Sequence, residues 1–169
     1  MRELQATLMD DDCYLPWHAR PIPEISRQAR LSASVGDPEP VRNGIDRSIK
    51  GVDNGWWGPL GASIEYHFDA PTQISRVRFT FDSNLKDNKR MPCSYPLKGN
   101  RVQVPEMMTR AFDVEILDDT GNWQCVQRVR DNYQRLVRRP LEAVTRGVRF
   151  VVRESWGMDQ VHLFAFDVS

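Results

Sequence analysis

Two adjacent tryptophans, Trp56 and Trp57, sit in the run Asn54-Gly55-Trp56-Trp57-Gly58-Pro59, and a polar stretch holding Asp82, Asn84, Lys86 and Arg90 lies further along the chain. Flat aromatic rings can stack on the C–H face of a sugar, and the four polar side chains supply donors and acceptors suited to hydroxyl groups. These six residues form the candidate ligand-binding set. A plainer reading stands beside each. Tryptophan is well buried on average, so one or both indoles can fold back over a core. Adjacent positions of an extended segment point opposite ways, so at most one of the two rings is expected in solvent. The polar stretch fits a ligand loop, a partner-docking loop or a solvated one.

Asn43-Gly44-Ile45-Asp46 and Asp53-Asn54 are the next chemically suggestive pair. A hard cation such as Ca²⁺ takes six to eight oxygens, of which Asp46 and Asp53 can supply two. The alternative is a turn closed by its own Asn and Asp side chains. No other metal set stands out. His18, His67 and His162 are the only histidines, none at zinc-ligand spacing, and Cys13, Cys93 and Cys125 contain no Cys-x-x-Cys. His67 and His162 are expected to point outward from strands. Glu65, Asp113 and Glu115 read as acids on a wet strand face, and no nucleophile elbow accompanies them. The chain itself therefore reads as non-catalytic.

Arg128, Arg130, Arg135, Arg138 and Arg139 make the densest basic run. Guanidinium groups suit carboxylates in a docking interface, so Arg135 and Arg138 are candidate docking residues, as are the acids Asp10, Asp11 and Asp12. Basic and acidic residues balance at 23 each, which argues against a nucleic-acid partner. No apolar run is long enough to span a membrane. Three widely spaced cysteines and an acidic N-terminus without a leader pattern lead to the expectation of reduced thiols in the cytoplasm.

These residues need a scaffold, and alternation predicts one. Ser63–Phe68 and Ile74–Phe81 read as two strands joined by a short turn. Ala111–Leu117 and Trp123–Val129 read as a hairpin around Asp119-Thr120-Gly121-Asn122. Leu31–Val35, Tyr133–Val137, Arg146–Arg153 and Gln160–Val168 complete about eight strands, the last dense enough in apolar residues to be central. The fold class is all-β, an antiparallel β-sandwich or jelly roll, with a short N-terminal helix near Arg2–Met9. Residues 1–25 form that helix and a proline-punctuated connector, and 26–169 form the sandwich. Asp82 to Val104 is a long loop.

The segments ASVGDPEPVRNGIDR, NGWWGP and IEYHFDAPTQISRVRFTFDSNL resemble the discoidin (coagulation factor 5/8 type C-like) galactose-binding-like fold. LQATLMDDDCYLPW, MPCSYPL and NYQRLVR extend that resemblance to the C-terminal region of bacterial FAD-dependent oxidoreductases. It implies a non-catalytic module that docks on an upstream flavoprotein part carrying the FAD. Gly55, Gly58 and Gly61 are not the glycine fingerprint of a dinucleotide fold, so FAD is not expected on this chain. The alternative is a carbohydrate-binding module that uses its loop aromatics.

Overall fold

Alternation of apolar and polar side chains makes strands of most of the chain, and a computed structural model describes residues 18–49, 51–84 and 104–169. In chain order the elements are a short helix α1 (Glu24–Gln28), β1 (Arg30–Ala33), a 3-10 turn (Glu39–Arg42), β2 (Trp56–Pro59), β3 (Ser63–Phe81), β4 (Thr109–Leu117), β5 (Trp123–Val129), β6 (Leu136–Ser155) and β7 (Gln160–Val168). All pairings are antiparallel, in the order β2-β7-β3-β6-β4-β5, with β1 on β3. The expected helix at Arg2–Met9 lies outside the described residues. The helix that is described, Glu24–Gln28, straddles the expected boundary between connector and sandwich.

The long strands β3 and β6 belong to both layers of the sandwich. Ser63–His67 pairs with the far half of β6 (Gly147–Val151) and with β1, whereas Val77–Thr80 pairs with the near half (Leu136–Arg139) and with β7. β4 and β5 extend the first layer, and β2 extends the second through β7. The register slips between His67 and Thr72 and again between Ile74 and Arg76. Such irregularities bend a ladder and increase its twist. They also accommodate Pro71 and Pro140, which have no N–H to donate.

This corrects the reading of Ser63–Phe68 and Ile74–Phe81 as two strands. They are one strand of 19 residues, because both halves keep the same partner across the bend. Arg146–Arg153 and the end of Tyr133–Val137 are likewise parts of one strand, β6. The hairpin around Asp119–Asn122 and the buried β7 agree with expectation.

The core lies between the layers. Phe79 of β3 is fully buried and meets Phe112 of β4 at 5.1 Å, Phe150 of β6 at 5.2 Å and Phe166 of β7 at 5.0 Å between ring centroids. Tyr66 crosses the layers as well, its hydroxyl donating to the Phe166 carbonyl at 2.8 Å. Burial pushes that hydroxyl well above the ordinary tyrosine range.

The segment before β1 is fastened to the sandwich by polar groups. Ser26 Oγ donates to the Val168 carbonyl at 2.8 Å and accepts from the Val168 N–H at 2.7 Å. Arg20 and Arg78 share the carboxylates of Asp46 and Asp167 at distances of 2.6–3.2 Å. Asp46 also accepts from Thr80 Oγ1 at 3.3 Å. Burial pushes the Asp167 carboxyl above its ordinary value, more than Arg20 and Arg78 draw it down.

The strand-face acids are not a wet surface. Asp113 and Glu115 are buried. Asp113 accepts from Arg153 Nε at 2.7 Å and Arg130 Nη1 at 2.9 Å, and Glu115 accepts from Arg149 Nε at 2.6 Å. Arg149 in turn lies 4.4 Å above the Trp123 ring. Long guanidinium side chains cover the acids and supply their hydrogen bonds, so period-two alternation alone overstated their exposure.

Phe79 is in ring contact with Phe81, Phe112, Phe150 and Phe166. Phe79→Ala is expected to lower unfolding stability by about 3–5 kcal/mol, read as a reduced midpoint in urea with an unchanged slope.

Candidate functional site

β2 is an edge strand, paired only with β7 among the described strands. Its pleat sends the two tryptophans to opposite sides. Trp56 is 2% exposed and donates from Nε1 to the Val35 carbonyl at 2.7 Å. Its ring lies so close to Gly58 that a Cβ there would stand 1.9 Å from the indole. Trp57 is 37% exposed. The doublet therefore splits as the sequence predicted, one ring in the core and one at the surface, although it lies on a strand and not in a loop.

Strand register places Trp57 directly opposite His162 of β7. The two rings stack 4.2 Å apart and within 3° of parallel. His162 is 1% exposed, which overturns the expectation that it points outward. The reason is the position of β7: it runs between β2 and β3, and every residue from Val161 to Val168 is buried. His67 is half-buried instead of outward, held to Glu65 at 3.1 Å and edge-on to Trp123.

Carboxylates face both nitrogens of the His162 ring. Nδ1 lies 2.8 Å from Asp82 Oδ2 in a buried hydrogen bond. Nε2 lies 3.0 Å from Asp53 Oδ1, a charge contact and not an aligned hydrogen bond. Phe164 packs beside the ring at 4.5 Å, and the backbone of Gly55 fits so tightly that a Cβ would stand 2.2 Å from Nε2. Asp53 Oδ2 also accepts from Trp57 Nε1 at 2.9 Å. One carboxylate thus meets both rings of the stack.

Asp82 directly follows β3 and accepts a second hydrogen bond, from the Asn84 N–H at 2.7 Å. Asn84 takes a left-handed conformation, φ 57°, which Asn tolerates better than most residues. Burial works to raise the Asp82 carboxyl, yet the His162 and Asn84 hydrogen bonds and the charges of His162 and Arg135 hold it below the ordinary range. Arg135 donates to Ser83 Oγ at 3.1 Å and to the Asp46 carbonyl, and its guanidinium lies 5.6 Å from the Phe164 ring centre.

Of the candidate ligand residues, Trp57 and Asp82 come together around His162, with Asn84 beside them through its backbone. Trp56 does not join them. Lys86 and Arg90 lie outside the described residues, as do Asp10, Asp11 and Asp12. Arg135 belongs to this cluster by position, while Arg138 lies on the exposed side of β6 opposite Arg78. The two acids considered for Ca²⁺ go to separate partners, Asp46 to Arg20 and Arg78, and Asp53 to Trp57 and His162. His162 was not in the candidate set. Its signal was a lone histidine inside the apolar run Val161–Val168, where an ionisable side chain needs a partner.

No family model and no curated protein matches this chain. Solved structures do. A family 32 carbohydrate-binding module from Streptococcus pneumoniae EndoD is 18% identical, with a TM-score of 0.61 over 86% of this chain and 97% of the module. A Streptococcus pneumoniae fucose-binding module is 13% identical, with a TM-score of 0.59 over 85% and 92%. Chitosan-binding module 1 of a Paenibacillus chitosanase/glucanase is 13% identical, with a TM-score of 0.58 over 86% and 97%. The fold is the one these modules share. It is the galactose-binding-like β-sandwich that the resemblance implied. Docking on an FAD-dependent oxidoreductase gains no support from these matches. Among the described residues no helix is long and apolar enough to cross a membrane.

A carboxylate whose folded pKa lies below its unfolded value contributes stability above that value and loses it as pH falls. For Asp82 the unfolded reference is 3.8. Wild type should therefore exceed Asp82→Asn in unfolding free energy at pH 7, with the gap closing as pH drops below 3.8. Urea titrations at several pH values measure that gap, and a constant gap would contradict the assignment.

Proposed function

We propose that this chain is a non-catalytic carbohydrate-binding module and that the Trp57 indole is its sugar platform. The observation that carries this reading is the stack itself. One face of Trp57 rests on a buried, immobilised histidine, and the indole is 37% exposed on an edge strand. A flat ring fixed in advance loses little conformational freedom when a sugar lies against it. Asp53, whose side chain is 42% exposed, and the Asp82–Asn84 turn supply polar groups beside the platform. Pyranose rings combine an apolar C–H face with hydroxyl edges, which matches an aromatic floor with a polar rim.

The fold adds support. Several solved modules with this architecture carry a sugar in their names, including fucose, chitosan and galactose. Their identities of 9–13% are too low to transfer a particular sugar, so the class proposed here is a neutral or amino monosaccharide unit at the end or side of a glycan. Catalysis is not part of the proposal.

Titration with a panel of mono- and oligosaccharides, followed by tryptophan fluorescence and calorimetry, tests the proposal. At least one glycan should bind saturably. Trp57→Ala should weaken that binding about tenfold or more, the effect of removing about 1.4 kcal/mol, while leaving the far-ultraviolet circular dichroism unchanged. A panel that includes galactose, fucose and glucosamine oligomers and yields no binding would overturn it.

A further inference from the structure

The stack poses a physical question that strand pairing leaves open. Trp57 lies on an edge strand and is 37% exposed, so its side chain is not confined by packing on all sides. Rotation about χ1 and χ2 would lift the indole off His162, because both torsions have several staggered or broad wells. His162 cannot follow. It is clamped by Asp82, by Phe164 and by the close approach of Gly55. Something must hold the movable ring against the fixed one.

Asp53 is placed to do this. Its Oδ2 accepts the Trp57 Nε1–H at 2.9 Å, and its Oδ1 lies 3.0 Å from His162 Nε2. The indole and imidazole nitrogens thus face the same side of the stack, toward one carboxylate. A single rigid group that meets both ring edges sets their relative rotation as well as their separation. That accounts for planes only 3° apart, where stacking alone tolerates wide offsets and tilts. The pair Asp53-x-x-x-Trp57 is also local in sequence, so the short segment through Gly55 brings acid and indole together without a long-range closure.

We propose that Asp53 is the positioning residue of the platform: it fixes the Trp57 indole flat on His162, and the binding surface exists in the free protein because of that carboxylate. Its part is to orient the ring that a ligand would touch. The surface inference rests on the carbohydrate reading, but the orientation of Trp57 does not, and the two are measured separately.

The experiment compares wild type, Asp53→Ala, Asp53→Asn and Trp57→Phe as full chains. Difference spectra against Trp57→Phe isolate the Trp57 signal from the other four tryptophans. Without any sugar, Asp53→Ala should shift Trp57 emission to the red and diminish its near-ultraviolet circular dichroism, with far-ultraviolet spectra unchanged. Asp53→Asn retains a carbonyl acceptor for the indole N–H and should keep most of both signals. Where a glycan binds wild type, its affinity should fall about tenfold in Asp53→Ala and much less in Asp53→Asn, a fold-change of about 1.4 kcal/mol. An Asp53→Ala protein whose Trp57 spectra match wild type overturns the inference. So does an Asp53→Asn protein that loses as much signal as Asp53→Ala. If Asp53→Ala fails to fold, Asp53→Ser, too short to reach the indole N–H, takes its place: acrylamide quenching of Trp57 severalfold faster than in wild type supports the inference, and an unchanged rate overturns it. Spectral changes without glycan binding would support the positioning role and remove the carbohydrate reading.

Discussion

The structure depends on one continuous antiparallel pairing, β3 with β6. These strands stay hydrogen-bonded from Ser63 opposite Val151 to Thr80 opposite Leu136, through two register shifts. One half of the pair lies in each layer, so the ladder that makes the sheet also joins the sandwich. The hydrophobic contacts follow from this geometry. Phe79 and Phe150 belong to opposite halves of the bent pair and meet in the interior. Breaking the pairing at the bend would separate the layers, which is why its irregularities are confined to Pro71, Pro140 and their neighbours.

The buried carboxylates of this framework each meet a cationic partner or a histidine, and that pairing explains where charge could be placed. Asp46 and Asp167 share Arg20 and Arg78, which fastens the segment before β1 to β3 and β7. Asp113 and Glu115 are covered by Arg130, Arg149 and Arg153 on the other side of the molecule. Removing one partner from such a set leaves an unpaired buried charge, which costs more than the intact pair contributes. Among the described residues, Arg20, Arg78, Arg149 and Arg153 are thus matched to buried acids within the fold.

The candidate site combines both features, edge and burial. β7 supplies a histidine from a fully covered strand, and β2 lays a tryptophan over it from the edge. Neither side chain alone would make a platform. A tryptophan on an edge strand with nothing beneath it is mobile, and a histidine beneath a closed surface touches no ligand. Two carboxylates meet the pair: Asp82, just past the end of β3, hydrogen-bonds to the histidine, and Asp53, in the segment before β2, accepts from the indole and lies beside the other histidine nitrogen.

Period-two alternation made the β-sandwich legible from sequence, because it is imposed locally by the pleat and by the need to bury one face. The Trp56–Trp57 doublet was legible for the same reason: neighbours on a strand face opposite ways. Asp82 was legible as a polar residue at a strand end. The union of Ser63–Phe68 with Ile74–Phe81 was not, since Asp69–Thr72 looks like a turn until one sees the same partner strand on both sides. His162, Asp53 and Arg135 could not be assembled from sequence either. His162 and Asp82 are separated by 80 positions and meet because β7 pairs with β3. Local chemistry determines which residues can alternate, turn or stack. Only the tertiary pairing decides which carboxylate faces which ring, because that depends on the register of strands far apart in the chain.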